Sequence, residues 1–253
     1  MNVVYVRTAF IALMALLLSA LTALLLSQSA GASQTGVVQG TVRFEGSAPA
    51  PEMLEVTKNR EVCGESVQAR ELVIAGGRVA NAVASIEGLE ADVGAREYLL
   101  SNTGCRFDPP VLAASAGGIL IVDNQDDVLH NTHLNFVRGS ATRTVGNWAL
   151  SNKGARITAD RPLRRAGEID VECDAHPWMH ATIKIFDHPY FGVTDGSGSF
   201  RVTDVPPGTH TLRLWHEVLG EREQQVTVEA GGTATVEFVF STGDLAANGE
   251  GGR

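Results

Sequence analysis

Beyond residue 33 the sequence has no apolar run that approaches membrane-spanning length, no excess of positive charge and little sign of long helix. Each absence removes a class. With 20 Lys and Arg against 29 Asp and Glu, the formal net charge is −9, which argues against nucleic acid as a partner. Disorder is excluded as well, because a chain of 253 residues that is 44% hydrophobic and 19% charged has an ordinary globular composition. That length leaves room for one large or two small domains. There are only three cysteines, so at most one disulfide can form.

The one long apolar run lies at the start. Arg7 opens it, it extends over residues 9–26, and the small residues Ala30-Gly31-Ala32 follow as a cleavage signal, with Ser33 as the first mature residue. The run is also long enough for an uncleaved anchor, but the small and polar residues 27–35 fit the signal-peptide pattern. Residues 1–32 are therefore read as a signal peptide, and the mature chain is expected to be periplasmic or otherwise secreted.

The mature chain reads as short strands separated by Gly, Pro and Asp clusters, a pattern of antiparallel sandwiches or barrels. Residues 37–44 alternate apolar and polar, and residues 46–51 end them as a turn. Residues 71–74, 79–86 and 98–101 are further strands. Residues 119–124 form a buried strand whose polar end opens a loop containing Asp126, Asp127, His130, Asn131 and His133.

The densest chemistry is the stretch Cys173-Asp174-Ala175-His176-Pro177-Trp178-Met179, which offers a thiolate, an imidazole and a thioether within seven residues. Soft sulfur together with imidazole selects copper, and two His, one Cys and a weak axial Met make an electron-transfer site. Residues 168–172 alternate as a half-buried strand, so Cys173 sits at a strand end, and 181–186 resume the alternation after the loop. Zinc is disfavoured, since its structural sites use several thiolates or paired Cys and His motifs. Ile169 stands where a second upstream Cys would make the centre binuclear, so one ion is expected. The missing imidazole has two candidates, His130 and His133. His180 competes with Met179 for the fourth position, and a second metal site using His188 and His216 is the remaining alternative. If Cys173 binds metal, Cys63 and Cys105 either form a disulfide, as an exported compartment permits, or stay as two buried thiols.

Three features together resemble the cupredoxin (blue copper) family, closest to its amicyanin and plastocyanin branch: Phe107-Asp108-Pro109 followed by Gly118 and a strand ending in Asn124; His130-Asn131; and Cys173-x-x-His176-x-x-Met179 before a last strand. The resemblance covers residues 96–187. It implies that His130, Cys173, His176 and Met179 are the metal ligands, that His133 is not one, and that an exposed His176 edge with Pro177 and Trp178 forms the apolar patch for electron entry.

The C-terminal region has different chemistry. Thr194-Asp195, Gly198 and Phe200, then Val205-Pro206-Pro207-Gly208-Thr209, are turn elements that resemble the carboxypeptidase regulatory-like, or transthyretin-like, sandwich. They carry no catalysis, and the resemblance implies a scaffold or interaction role. Residues 188–241 are short for an independent core. The N-terminal strands of residues 33–95 either complete this second sandwich around an inserted copper domain or pack on the copper domain itself. Residues 242–253, rich in Gly, are expected to be disordered.

The expected fold is all-β: a cupredoxin Greek-key β-sandwich plus a second, smaller β-sandwich. The expected function is an exported mononuclear blue-copper protein that transfers single electrons between periplasmic redox partners, its one copper ion cycling between cuprous and cupric states. The alternative is a copper-delivery or assembly module. No enzymatic role is expected, because copper oxidases need an open coordination position or further copper sites.

Overall fold

A computed structural model describes residues 34–248 apart from 92 and 95; the signal-peptide reading of residues 1–32 lies outside them. The fold is all-β, with two sandwiches. Among the described residues no helix is long and apolar enough to cross a membrane.

In the first sandwich, one sheet runs in the order Arg156–Ala159, Ile119–Asn124, Glu97–Asn102, Phe107–Asp108. The facing sheet runs Ala141–Leu150, His130–Arg138, Gly167–Glu172, His180–Phe186, Val111–Ser115. Two pairings are parallel, Glu97–Asn102 with Ile119–Asn124 and His180–Phe186 with Val111–Ser115, and they tie the hairpins into a crossed arrangement. The period-2 alternation of residues 168–172 has its expected consequence. Ile169 and Val171 point into a core with Leu100, Phe107, Leu120, Val122, Leu134 and Ile183, while Glu168 and Asp170 are only half-buried on the other face.

The second sandwich draws on both ends of the described chain. Gly36–Glu45 pairs antiparallel with Ser199–Val205 and, on its other side, parallel with Thr233–Ser241. Val83–Ile86 pairs with Phe191–Val193 and with Gly208–His216, which continues to Gly220–Val228. Its core contains Val38, Val42, Phe44, Ile86, Phe200, Leu212, Leu214 and Phe240. Gly40 is needed where Gly36–Glu45 crosses this core, since a Cβ there would sit 2.6 Å from the Phe200 ring. A small third cluster, Val83, Val111 and Ala113 with Phe186, Phe191 and Trp215 against it, packs one sandwich on the other.

One expectation changes, and one unassigned stretch gains a structure. Thr242–Asn248 is a helix rather than the start of a disordered tail. Asp244 in its first turn accepts hydrogen bonds from the Ser241 backbone N–H and from Arg222, which gives the chain end a local anchor that a Gly-rich composition does not show. The unassigned stretch follows Gly36–Glu45. It forms a hairpin, Met53–Glu55 with Ser66–Gln68, carrying a single helical turn, Arg60–Cys63. This excursion leaves the second sandwich and buries Val56, Cys63 and Val67 in the core of the first. Cys63 there is disulfide-bonded to Cys105.

Candidate metal centre

His130 begins the strand His130–Arg138, and Cys173 follows the strand Gly167–Glu172 beside it, where His133 pairs with Glu172. Adjacent strand ends therefore bring the two side chains together. The loop after Cys173 is held by two backbone turns, with the His176 N–H on Cys173 O at 3.1 Å and the Met179 N–H on His176 O at 2.9 Å. These turns fold His176 back over Cys173. The resulting group is His130, Cys173 and His176, whose donor atoms lie within 4.8 Å of one another. All three are buried, and Met179 is buried in the core cluster that also holds Cys173.

The orientation of the two imidazoles determines what the group can hold. His130 Nε2 lies 2.9 Å from Asp126 Oδ2, and His176 Nε2 lies 3.0 Å from Asn59 Oδ1. Both partners are acceptors, so each ring carries its proton on Nε2. The two Nδ1 lone pairs then face each other at 3.0 Å, with Cys173 Sγ 3.7 Å from His176 Nδ1. Burial holds both imidazoles below their ordinary titration range, His176 at about 4 with the neighbouring His130 and Lys58 adding to the effect. Two neutral nitrogen lone pairs and a sulfur converging on one point, without a proton between the nitrogens, repel unless a cation sits there. Their chemistry fits a soft or borderline metal ion.

Asn131 builds the frame around this point. Its backbone N–H donates to Cys173 Sγ at 3.4 Å, its Oδ1 accepts from the Ala175 N–H, and its Nδ2 donates to Asp174 and Asn147. One amide thus ties the His130 strand to the Cys173 loop. Asn124 fixes the preceding loop by donating to Val128 O and Leu150 O while accepting from the Asp126 N–H. Burial pushes the Cys173 thiol up, opposed by the N–H donors of Asn131, Ala175 and His176, so a thiolate here would need a bound cation to stabilise it.

The other histidines are engaged elsewhere. His133 is bound by Asp174 at 3.0 Å and by Thr144 at 2.9 Å. His180 pairs with Asp170 at 2.7 Å and lies 3.6 Å from both Glu71 and Glu217. His188 and His216 are buried, and each Nδ1 accepts backbone N–H groups just downstream. Neither belongs to a metal-type cluster among the described residues. A second cluster, Cys105, Asp126 and His130, shares His130 but has its sulfur in the disulfide.

One expectation is overturned. The His176 edge is not exposed: the side chain is fully buried, because Asn59 from the hairpin excursion covers Nε2. Trp178 is also buried, its Nε1–H donating to Cys105 O at 3.2 Å. Of the three residues expected at the patch, only Pro177 is exposed. Sequence reading passed over Asn59 and gave Asp126 no role. Asp126 had a signal in its place four residues before His130, whereas Asn59 is 117 residues from its partner and had none.

In the second sandwich, the turn elements read from the sequence adopt a defined loop. Asp195 accepts hydrogen bonds from the Ser197 and Ser199 N–H groups, Gly198 takes φ +73°, and the Thr194 hydroxyl accepts from the Ala82 N–H. Residues 167–241 match the carboxypeptidase regulatory-like domain. The regulatory-like match begins upstream of that sandwich: Gly167–Glu172, the loop of residues 173–179 and His180–Phe186 fall inside the matched residues but lie in the first sandwich. No curated protein matches the chain. Among solved structures it is similar to auracyanin A, a "blue" copper protein from the green thermophilic photosynthetic bacterium Chloroflexus aurantiacus, at 16% identity, covering 37% of this chain and 100% of that one with a TM-score of 0.31. It is similar to a reduced amicyanin variant at 20% identity, covering 41% and 98%, TM-score 0.30. It also matches a copper-containing nitrite reductase from Thermus scotoductus at 19% identity, covering 46% of this chain but only 25% of the reductase, TM-score 0.30.

Proposed function

We propose that this chain is an exported, mononuclear blue-copper electron carrier in which His130, Cys173, His176 and Met179 hold one copper ion. The observation that carries the reading is the pair of neutral Nδ1 lone pairs facing each other beside the Cys173 sulfur, with both Nε2–H groups already bound. Copper in such a donor set supplies a one-electron couple between its cuprous and cupric forms. The chain's own residues hold the ligands still. Asp126 and Asn59 fix the two rings from behind, Asn131 fixes the sulfur, and burial in the first sandwich keeps water away, so little has to move when the charge changes. Met179, three residues before the parallel pairing of His180–Phe186 with Val111–Ser115 begins, supplies the weak fourth ligand.

The partner is another exported redox protein, reached by transient docking, and the acidic surface suits a basic one. A copper-delivery module wants ligands open to exchange; two fully buried imidazoles favour the carrier. The second sandwich acts as scaffold or docking surface, with the copper domain inserted between its N-terminal and C-terminal strands.

The deciding measurement is the visible absorption of the copper-loaded, oxidised protein. An intense thiolate-to-copper band is expected, lost in Cys173→Ser and kept in His133→Ala. The complete lack of such a band in the wild type would reject the carrier.

A further inference from the structure

We infer that residues 53–68 form a disulfide-latched lid over the metal centre, with Asn59 as the lid's positioning residue for His176. The inference rests on the copper reading for its purpose but not for its geometry.

The lid is foreign to the sandwich it covers. It leaves the second sandwich after Gly36–Glu45 and returns there at Ile74–Ala75, and between those points it crosses onto the first. Its own secondary structure is slight: a three-residue hairpin and four helical residues, too little to persist unaided. Arg60 stiffens it from within, through Val56 O at 2.7 Å and Glu55 at 2.8 Å. Its fastenings to the first sandwich are the buried side chains Val56 and Val67, the half-buried Leu54 and one covalent bond, Cys63 to Cys105, with Arg70 just beyond its end donating to Phe107 O and Asp108.

That bond is placed at the centre itself. Cys105 Sγ lies within 4.8 Å of a His130 ring nitrogen and an Asp126 carboxylate oxygen. The same residue's backbone N–H donates to Asp126, and its carbonyl accepts from Trp178 Nε1. The latch therefore sits among the groups that orient His130 and pack on His176. On the lid side, Asn59 has φ 53°, a left-handed conformation that Asn tolerates, and it aims Oδ1 at His176 Nε2 while its carbonyl accepts the Val62 and Cys63 N–H groups. The turn that presents Asn59 and the cysteine that latches it are thus one hydrogen-bonded unit.

The consequence is a redox gate distinct from copper's own couple. An exported dithiol reductant would give two electrons and two protons to the bridge, leaving thiols on Cys63 and Cys105 and becoming a disulfide itself. With the latch open, Asn59 no longer holds the ring proton on Nε2, so the proton is free to move to Nδ1 and the edge of His176 presents an Nε2 lone pair to solvent. The closed lid keeps the ion, and the open lid exposes it to exchange.

The test uses metal-free, full-length protein and diethyl pyrocarbonate, which acylates accessible neutral imidazoles, with the modified histidines mapped by mass spectrometry. His176 in the wild type should react at least tenfold more slowly than in a Cys63→Ser/Cys105→Ser double variant. Asn59→Gly, which keeps the left-handed backbone and leaves the disulfide intact, should also accelerate labelling at least tenfold, and Asn59→Asp, which retains the oxygen acceptor, should restore protection. His133 serves as the internal standard. Equal His176 rates in the wild type and in folded Asn59→Gly overturn the lid, whatever the double variant does. In copper-loaded samples, cuprous copper should pass to bicinchoninate at least tenfold faster from the double variant. If the labelling differences appear but no sample takes up copper, the copper reading fails and the lid stands; if copper binds with its band and labelling is uniform, the lid fails and the copper reading stands.

Discussion

Truncating Asp126 tests how the centre is held. Its carboxylate, about one-tenth exposed, accepts from three donors: His130 Nε2 at 2.9 Å and the Gly104 and Cys105 N–H groups at 2.8 Å each. In Asp126→Ala the Gly104 N–H turns to water at little cost, because that bond is exposed. The His130 Nε2–H and the Cys105 N–H are not free to do so, since both residues are fully buried. Leaving a buried donor unsatisfied costs about 1–3 kcal/mol, so with two such donors the metal-free protein should lose about 2–6 kcal/mol, centred near about 4 kcal/mol. That is a large part of a typical total of about 5–15 kcal/mol, yet short of unfolding it. Asp126 also keeps the His130 proton on Nε2, which leaves the Nδ1 lone pair for metal. Losing such a partner typically costs about 10–100-fold in metal affinity. Asp126→Asn retains one good acceptor and should fall between wild type and alanine on both measures. Urea unfolding of metal-free protein and competition for cuprous copper against a chromophoric chelator read the two effects separately. The reasoning is refuted if Asp126→Ala costs less than about 1 kcal/mol and leaves copper affinity within about twofold of wild type.

Three further outcomes are expected. Burial holds His216 at about 4 against about 6.5 in the unfolded chain, so the unfolded state binds more protons between those values and stability should rise with pH across that window. Up to about 3 kcal/mol is at stake, and thermal melts of His216→Asn should show a shallower pH dependence than wild type; parallel curves would reject this. Leu212→Ala removes a fully buried side chain from the second core and should cost about 2–5 kcal/mol while leaving the copper absorption unchanged, measured by melting and visible spectra together. In Gly198→Ala the new Cβ would stand 2.6 Å from Val42 O at φ +73°, and a loss of about 2 kcal/mol in chemical denaturation is expected.

What the sequence by itself determined was local. Alternation placed Ile169, Val171, Ile183 and Ile185 in a core, turn residues placed Gly198 and Asp195, and the spacing of Cys173, His176 and Met179 brought soft donors onto one loop. These follow from chemistry within about ten residues, where the period of a strand and the φ of a turn are dictated by the residues themselves. His130 over His133 was open to residue patterns and became a choice only through a resemblance.

Tertiary structure decided what depends on distant pairing. Which sandwich holds residues 36–45 and 83–86 is set by hydrogen bonds to strands more than a hundred residues away, and a strand's own sequence does not name its partner. The Cys63 to Cys105 bridge required their Cβ atoms to meet, which no spacing reveals. The covered His176 edge is the sharpest case. Nothing in residues 173–179 distinguishes an exposed imidazole from a capped one, because the cap is an amide 117 positions earlier, carried over by a hairpin from the other sandwich.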